Sequence, residues 1–234
     1  MKLIGMLGGL GWEATSRYYR MINEYTQKQL GEQHTARILL HTVDHAAIKY
    51  HNSRGDLNAV VTLLSDAARS LKDGGADFII VANNAMHEFA AQIEEASGID
   101  LLHISDPTGQ EIRDAGYSRV ALLGTRATME GDFYSDRVLR ISGAGVITPD
   151  LCDRIEINRI IFDELSRGVL RCSTSNYFEG LIETLRRRGA EAIVLGCSEL
   201  TAAVTPDRDN VRIYDTTRLH AKAAAKRALE VSYA

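Results

Sequence analysis

The sequence predicts an α/β protein of two pseudo-symmetric halves, each a mainly parallel four-stranded sheet flanked by helices, with an active site between them. Three observations predict it. Short apolar runs alternate with longer amphipathic ones along the 234 residues, the grammar of parallel sheets. The short runs are nearly continuous in apolar residues, as expected where helices cover both faces of a sheet. The chain also repeats itself in register. Gly75–Asn84 lies on Gly189–Ser198 without a gap, and Met6-Leu7-Gly8 matches Leu122-Leu123-Gly124. The strand exits Ile104-Ser105-Asp106 and Ile213-Tyr214-Asp215 agree as well.

In chain order, the first strands are expected at Leu3–Leu7, Ala36–Val43, Phe78–Val81 and Leu101–Ile104. The second series is Val120–Leu123, Gly145–Ile147, Ala192–Leu195 and Val211–Tyr214. Helical periodicity fills the gaps at Glu13–Leu30, Leu57–Asp73, His87–Ala96 and Asp106–Ala115, then at Asp132–Ile141, Ile155–Arg167, Ser175–Arg188 and Thr217–Val231. The last helix has no counterpart slot in the second half and is expected to pack on the first. The halves are therefore 1–100 with about 215–234, and 101–214. No Pro-, Gly- or Ser-rich linker separates them.

Composition narrows the function classes. The net charge is −4, so no basic field points to nucleic acid. Arg186-Arg187-Arg188 sits late in a helical pattern before Gly189, where it complements the helix dipole on a solvated face. No apolar run approaches the ~18 residues of a membrane span. The start, MKLIGMLGGLGW, reads as a buried strand entering a glycine loop rather than a signal peptide. Three cysteines fit a reduced, cytoplasmic protein. The seven histidines show no metal-ligand spacing and no CxxC is present, so no metal is expected. Gly9, Gly11 and Ala14 fill the slots of a dinucleotide fingerprint, but no acidic residue ends the second strand cleanly. P-loop and Gly-x-Ser-x-Gly patterns are absent.

Chemistry is expected beyond the carboxyl ends of the strands, where parallel sheets bind ligands. Four polar clusters sit there: Gly8-Gly9-Leu10-Gly11, Asn83-Asn84, Gly124-Thr125-Arg126-Ala127-Thr128 and Gly196-Cys197-Ser198-Glu199. The helix starts that follow expose N–H groups suited to a carboxylate. A lone cysteine is more often a small buried hydrophobe. Cys197, however, follows a strand, precedes an expected helix start and has a polar partner in the repeat. A helix N-terminus lowers a thiol pKa below ~8.5, so Cys197 is the expected acid/base residue. Cys152 and Cys172 lie away from strand ends and read as structural or surface residues.

Leu7-Gly8-Gly9-Leu10-Gly11-Trp12-Glu13-Ala14-Thr15, Asn84-Ala85-Met86-His87 and Gly196-Cys197-Ser198-Glu199-Leu200 resemble three signatures of the aspartate/glutamate racemase family. Val120–Thr125 with Thr128-Met129, and Ile160–Leu165, match two more, so the resemblance runs through essentially the whole chain. It implies amino-acid racemisation without pyridoxal phosphate or any other cofactor, often by a homodimer. It also implies a thiol on each face of the substrate. Gly9, Asn84, Ala85, Thr125, Thr128 and Ser198 are the implied substrate-binding positions. The family pattern has cysteine where Asn83 stands and threonine where Ala85 stands. An asparagine amide hydrogen-bonds but does not titrate near neutral pH. On this reading Cys197 acts from one face, and a water held by Asn83, or His87 turned inward, serves the other. Arg54 and Arg167 are the nearest candidates for a side-chain carboxylate contact. A single-cysteine decarboxylase, or a non-catalytic binder of amino acids or dicarboxylates, stands as the alternative.

Overall fold

The computed structural model describes residues 1–204 and 211–230. The expected end of the last helix at Val231, and the stretch to 234, lie outside them. The chain divides into two compact units: Met1–Ile104 with the C-terminal helix from His220, and Ser105–Leu219.

In the first unit, β1 (Ile4–Gly8) lies between β2 (Ile38–Thr42) and β3 (Phe78–Val81), all parallel. Helices α1 (Trp12–Leu30), α2 (His45–Ser53), α3 (Leu57–Asp73) and α4 (Ala90–Ser97) accompany them. Strands β1 and β3 are buried throughout, which is why their sequences are unbroken apolar runs. Alternation still sorts their side chains onto two faces. Ile4, Met6, Phe78 and Ile80 pack with Tyr18, Ile22 and Ala221, Ala224, Ala225 and Ala228. Leu7, Ile79 and Val81 pack on the other face with Val60, Leu64 and Ile93.

In the second unit, α5 (Ser105–Asp114) leads into β4 (Arg119–Gly124), α6 (Arg126–Glu130), α7 (Asp132–Ser142) and β5 (Gly145–Ile147). Then come α8 (Leu151–Asp163), α9 (Cys172–Arg187), β6 (Ala192–Gly196) and β7 (Arg212–Asp215); α10 (Thr216–Leu229) starts in this unit and, from His220 on, belongs to the first. The strand order is β5-β4-β6-β7, all parallel.

The repeat holds at the level of single bonds. Leu7 pairs with Val81, and Leu123 with Leu195, the same partners under the sequence alignment. Gly75 and Gly189 turn the chain into β3 and β6 with φ of 88° and 93°. The Asp77 carboxylate accepts from the Leu3 N–H, and that of Glu191 from the Arg119 N–H.

One expected strand is corrected. Leu101–Ile104 is reduced to a single bridge, Ile79 to Leu101, so the first sheet has three strands rather than four. The Leu102 carbonyl accepts from His220 Nε2 at 2.8 Å, and α5 begins at Ser105. The matched exits also shift: Ile79 faces Leu101 while Ile193 faces Ile213, so Leu101, not Ile104, is the counterpart of Ile213.

His220 is fully buried and bonded at both ring nitrogens. Tyr18 Oη donates to Nδ1 at 2.7 Å, which with the Leu102 bond fixes a neutral tautomer. Burial, then the neighbouring His87, push its pKa down to about 3. The unfolded chain therefore binds a proton below pH ~6.5 that the folded chain refuses. Denaturant melts from pH 7 to pH 4.5 are expected to show this histidine costing ~1.4 kcal/mol per pH unit below that point. His220→Gln should be less stable throughout, with a shallower pH slope; an unchanged slope would contradict the buried neutral state.

Candidate active site

The paired ladders bring the strand exits together within each unit. In the first, Gly8 O accepts from Val43 N at 3.0 Å, and Ala82 N donates to Leu7 O at 2.9 Å. The glycine loop and Asn83 therefore leave adjacent strands. Gly9 has φ 84°, and a Cβ there would lie 2.2 Å from the Val43 carbonyl oxygen. Only glycine lets these exits approach so closely. The Gly9 N–H donates to Thr15 Oγ1 at 3.0 Å.

The Asn83 side chain is engaged on both sides. Nδ2 donates to Leu10 O at 3.0 Å, tying the glycine loop to the end of β3. Oδ1 accepts from Met86 N at 3.1 Å, starting the 3-10 turn Ala85–Phe89. Asn84 is buried and Ala85 half-buried. His87 does not turn outward. It is 1% exposed, its Nδ1 donates to Asn83 O at 2.8 Å, and its ring packs on His103 and His220.

In the second unit Gly124 pairs with Gly196, so Thr125 and Cys197 are the first residues beyond adjacent strands. Thr125 caps α6, its Oγ1 3.1 Å from Thr128 Oγ1. Thr128 is fully buried against both glycines; a Cβ on Gly196 would meet its methyl at 3.0 Å. It packs the strand exits together rather than facing solvent.

Cys197 is 7% exposed and extended (φ −154°, ψ 130°), and it precedes the 3-10 turn Ser198–Ala202. The expected helix N-terminus is therefore absent, and so is the expected lowering of the thiol pKa. Burial pushes the thiol well above its ordinary value, and the Glu199 carboxylate pushes in the same direction. Cys197 Sγ donates to Glu199 Oε2 at 2.9 Å, and Ser198 Oγ donates to the same oxygen at 2.9 Å. Glu199 is the residue sequence reasoning passed over. Its signal was a carboxylate two positions after a cysteine at a strand exit. Cys152 and Cys172 are exposed.

The arginine candidates point elsewhere. Arg54 stacks over the Tyr50 ring, and Arg167 is exposed beside Asp163. Among the described residues no group of three or more His, Cys, Asp or Glu could hold a metal ion, and no helix is long and apolar enough to cross a membrane.

The family profile described as Asp/Glu/hydantoin racemase matches residues 7–224. The broad specificity amino-acid racemase RacX of Bacillus subtilis is 25% identical over 94% of this chain and 95% of its own. A Yersinia pestis crystal structure named for the Asp/Glu racemases shares 43% identity with a TM-score of 0.94, covering 98% of this chain and 100% of that one. An aspartate racemase homologue from Pyrococcus horikoshii shares 29% at a TM-score of 0.87, with the same coverage.

Removing the Asn83 side chain leaves the Leu10 carbonyl and the Met86 N–H without these partners. Asn83→Ala is expected to cost ~1–3 kcal/mol in urea denaturation. Unchanged stability would show that the tie carries no weight.

Proposed function

Because the chain belongs to the Asp/Glu/hydantoin racemase family, we propose that it is a cofactor-independent amino-acid racemase in which Cys197 is the acid/base residue. The observation that carries this reading is the Cys197 thiol at the exit of β6, buried and hydrogen-bonded to a carboxylate. Two relatives support the reaction class, one named as a broad specificity amino-acid racemase and one as an aspartate racemase homologue. The substrate class is aspartate, glutamate or a related small amino acid. The enzyme works in the cytoplasm as a homodimer.

We infer that Asn83 stands where the family has its first catalytic cysteine. It occupies the position equivalent to Cys197 in the repeat, and its amide cannot move a proton. Racemisation still needs a proton delivered to the face opposite the one it left. With one thiol available, water supplies the second proton. Turnover is then slower in the direction where water must act as the base, because water is a poor base near neutral pH. The Thr125 and Ser198 hydroxyls, beside Cys197 at the strand exits, bind the substrate carboxylate. The backbone N–H groups of Glu199 and Leu200 favour the anionic form of the thiol when it arises.

The test is α-proton exchange in D₂O, followed by NMR with the L and D forms of aspartate, glutamate and a broad amino-acid panel. Exchange is expected with at least one enantiomer, falling by ~10²-fold or more in Cys197→Ser. No exchange across the panel would sink the racemase reading. Carbon dioxide release from substituted malonates would then favour a decarboxylase, and binding without turnover a retired site.

A further inference from the structure

Thr125, the residue beyond β4, opens α6, and α6 is only five residues long. A helix that short does not hold itself together, because nucleation costs more than so few internal bonds return. Its ends are held instead by α8. At the start, Asn158 Oδ1 accepts from the Arg126 N–H at 3.0 Å, from 32 residues further along the chain. At the finish, the Glu130 carboxylate takes Arg126 Nε at 3.1 Å and Nη2 at 3.0 Å, and Arg154 Nε lies 3.8 Å from its Oε1. Arg154 and Asn158 stand one turn apart and share a face of α8. Ile157, Ile160 and Ile161 of the same helix pack into the core that contains Met129 and Cys197. One core-anchored helix therefore grips α6 at both ends.

We propose that Asn158 is a positioning residue for the Thr125 hydroxyl, the group assigned above to the substrate carboxylate. The inference rests on the racemase reading. Thr125 and Asn158 divide open N–H groups at the start of α6 between them. Thr125 Oγ1 accepts from the Thr128 N–H at 3.4 Å, and Asn158 accepts from that of Arg126. The first bond is long and therefore weak. The second falls on the peptide group that joins Thr125 to Arg126, and it sets the turn from β4 into α6. Without it the first turn of α6 frays and the Thr125–Thr128 bond is lost. The hydroxyl then samples other χ1 rotamers. Asn158 acts through Thr125 alone.

Asn158→Leu removes the acceptor at similar size. In α-proton exchange with the best amino acid of the panel, its KM is expected to rise about tenfold with kcat within about twofold, the signature of binding lost equally in ground and transition states. Thr125→Val removes the hydroxyl itself, so the double variant is expected to match Thr125→Val. A separate readout needs no turnover. With methyl-labelled threonine, three-bond couplings to the Thr125 methyl carbon are expected to report one χ1 rotamer in the wild type and rotamer averaging in Asn158→Leu. Asn158→Asp keeps an acceptor for the Arg126 N–H and is expected to hold the single rotamer.

A raised KM that Thr125→Val absorbs, with averaging cured by Asn158→Asp, supports the proposal. An unchanged KM in Asn158→Leu overturns it. So does a KM effect that adds in full to that of Thr125→Val, since Asn158 would then act elsewhere. A fall in kcat in step with lost stability in urea also overturns it. Averaging in Asn158→Asp overturns it whether or not Asn158→Leu folds. If the wild-type protein exchanges no amino acid, the racemase reading fails and the couplings decide alone. Averaging in Asn158→Leu with one rotamer in Asn158→Asp then supports the positioning, and one rotamer in both overturns it.

Discussion

The parallel pairing of the first and third strands in each unit governs everything at the strand exits. With Leu7 opposite Val81 and Leu123 opposite Leu195, the next residues along the chain must emerge side by side. Burial on both faces holds that register, because a one-residue slip would drive every core side chain to the wrong face. The turns before β3 and β6 reinforce it with the same two devices, a left-handed glycine and a carboxylate bonded to the N–H at the start of the neighbouring strand. Of the four edge strands, β2, β5 and β7 are only partly buried and carry less of this constraint.

Identical scaffolding has received unequal chemistry. At the exit of β3, Asn83 uses its amide to tie the glycine loop and start a turn, and His87 below it faces the core. At the exit of β6, Cys197 directs a titratable S–H at a carboxylate. An amide in two hydrogen bonds stabilises its neighbourhood but moves no proton. A thiol held beside a carboxylate can exchange one. The asymmetry of the proposed reaction follows from this difference in side chains, with the backbone register the same in both units.

The strands were legible because burial on both faces leaves an unbroken apolar run, and the repeat was legible because Gly75 and Gly189 mark the same turn. Helix α2 was not. It buries only Ile48, so it shows little apolar periodicity, and a single capping side chain, Asp44, starts it. Leu101–Ile104 has a strand's composition, but the side chain of His220, more than a hundred residues away, takes the Leu102 carbonyl that a ladder would use. The place of Cys197 at a strand exit is legible in the sequence, but the direction of its pKa is not. A five-residue 3-10 turn follows it where the sequence predicts an α-helix. Glu199 lies in the same motif, but no sequence pattern fixes its oxygen turned back onto the sulfur.

A crystal structure with aspartate or another exchanging amino acid bound tests the account most directly. The substrate Cα is predicted to sit about 3.5 Å from Cys197 Sγ, with a water and no titratable side chain against its opposite face. A cysteine, histidine or carboxylate poised on that opposite face, or a substrate bound away from Cys197, would contradict the single-thiol account.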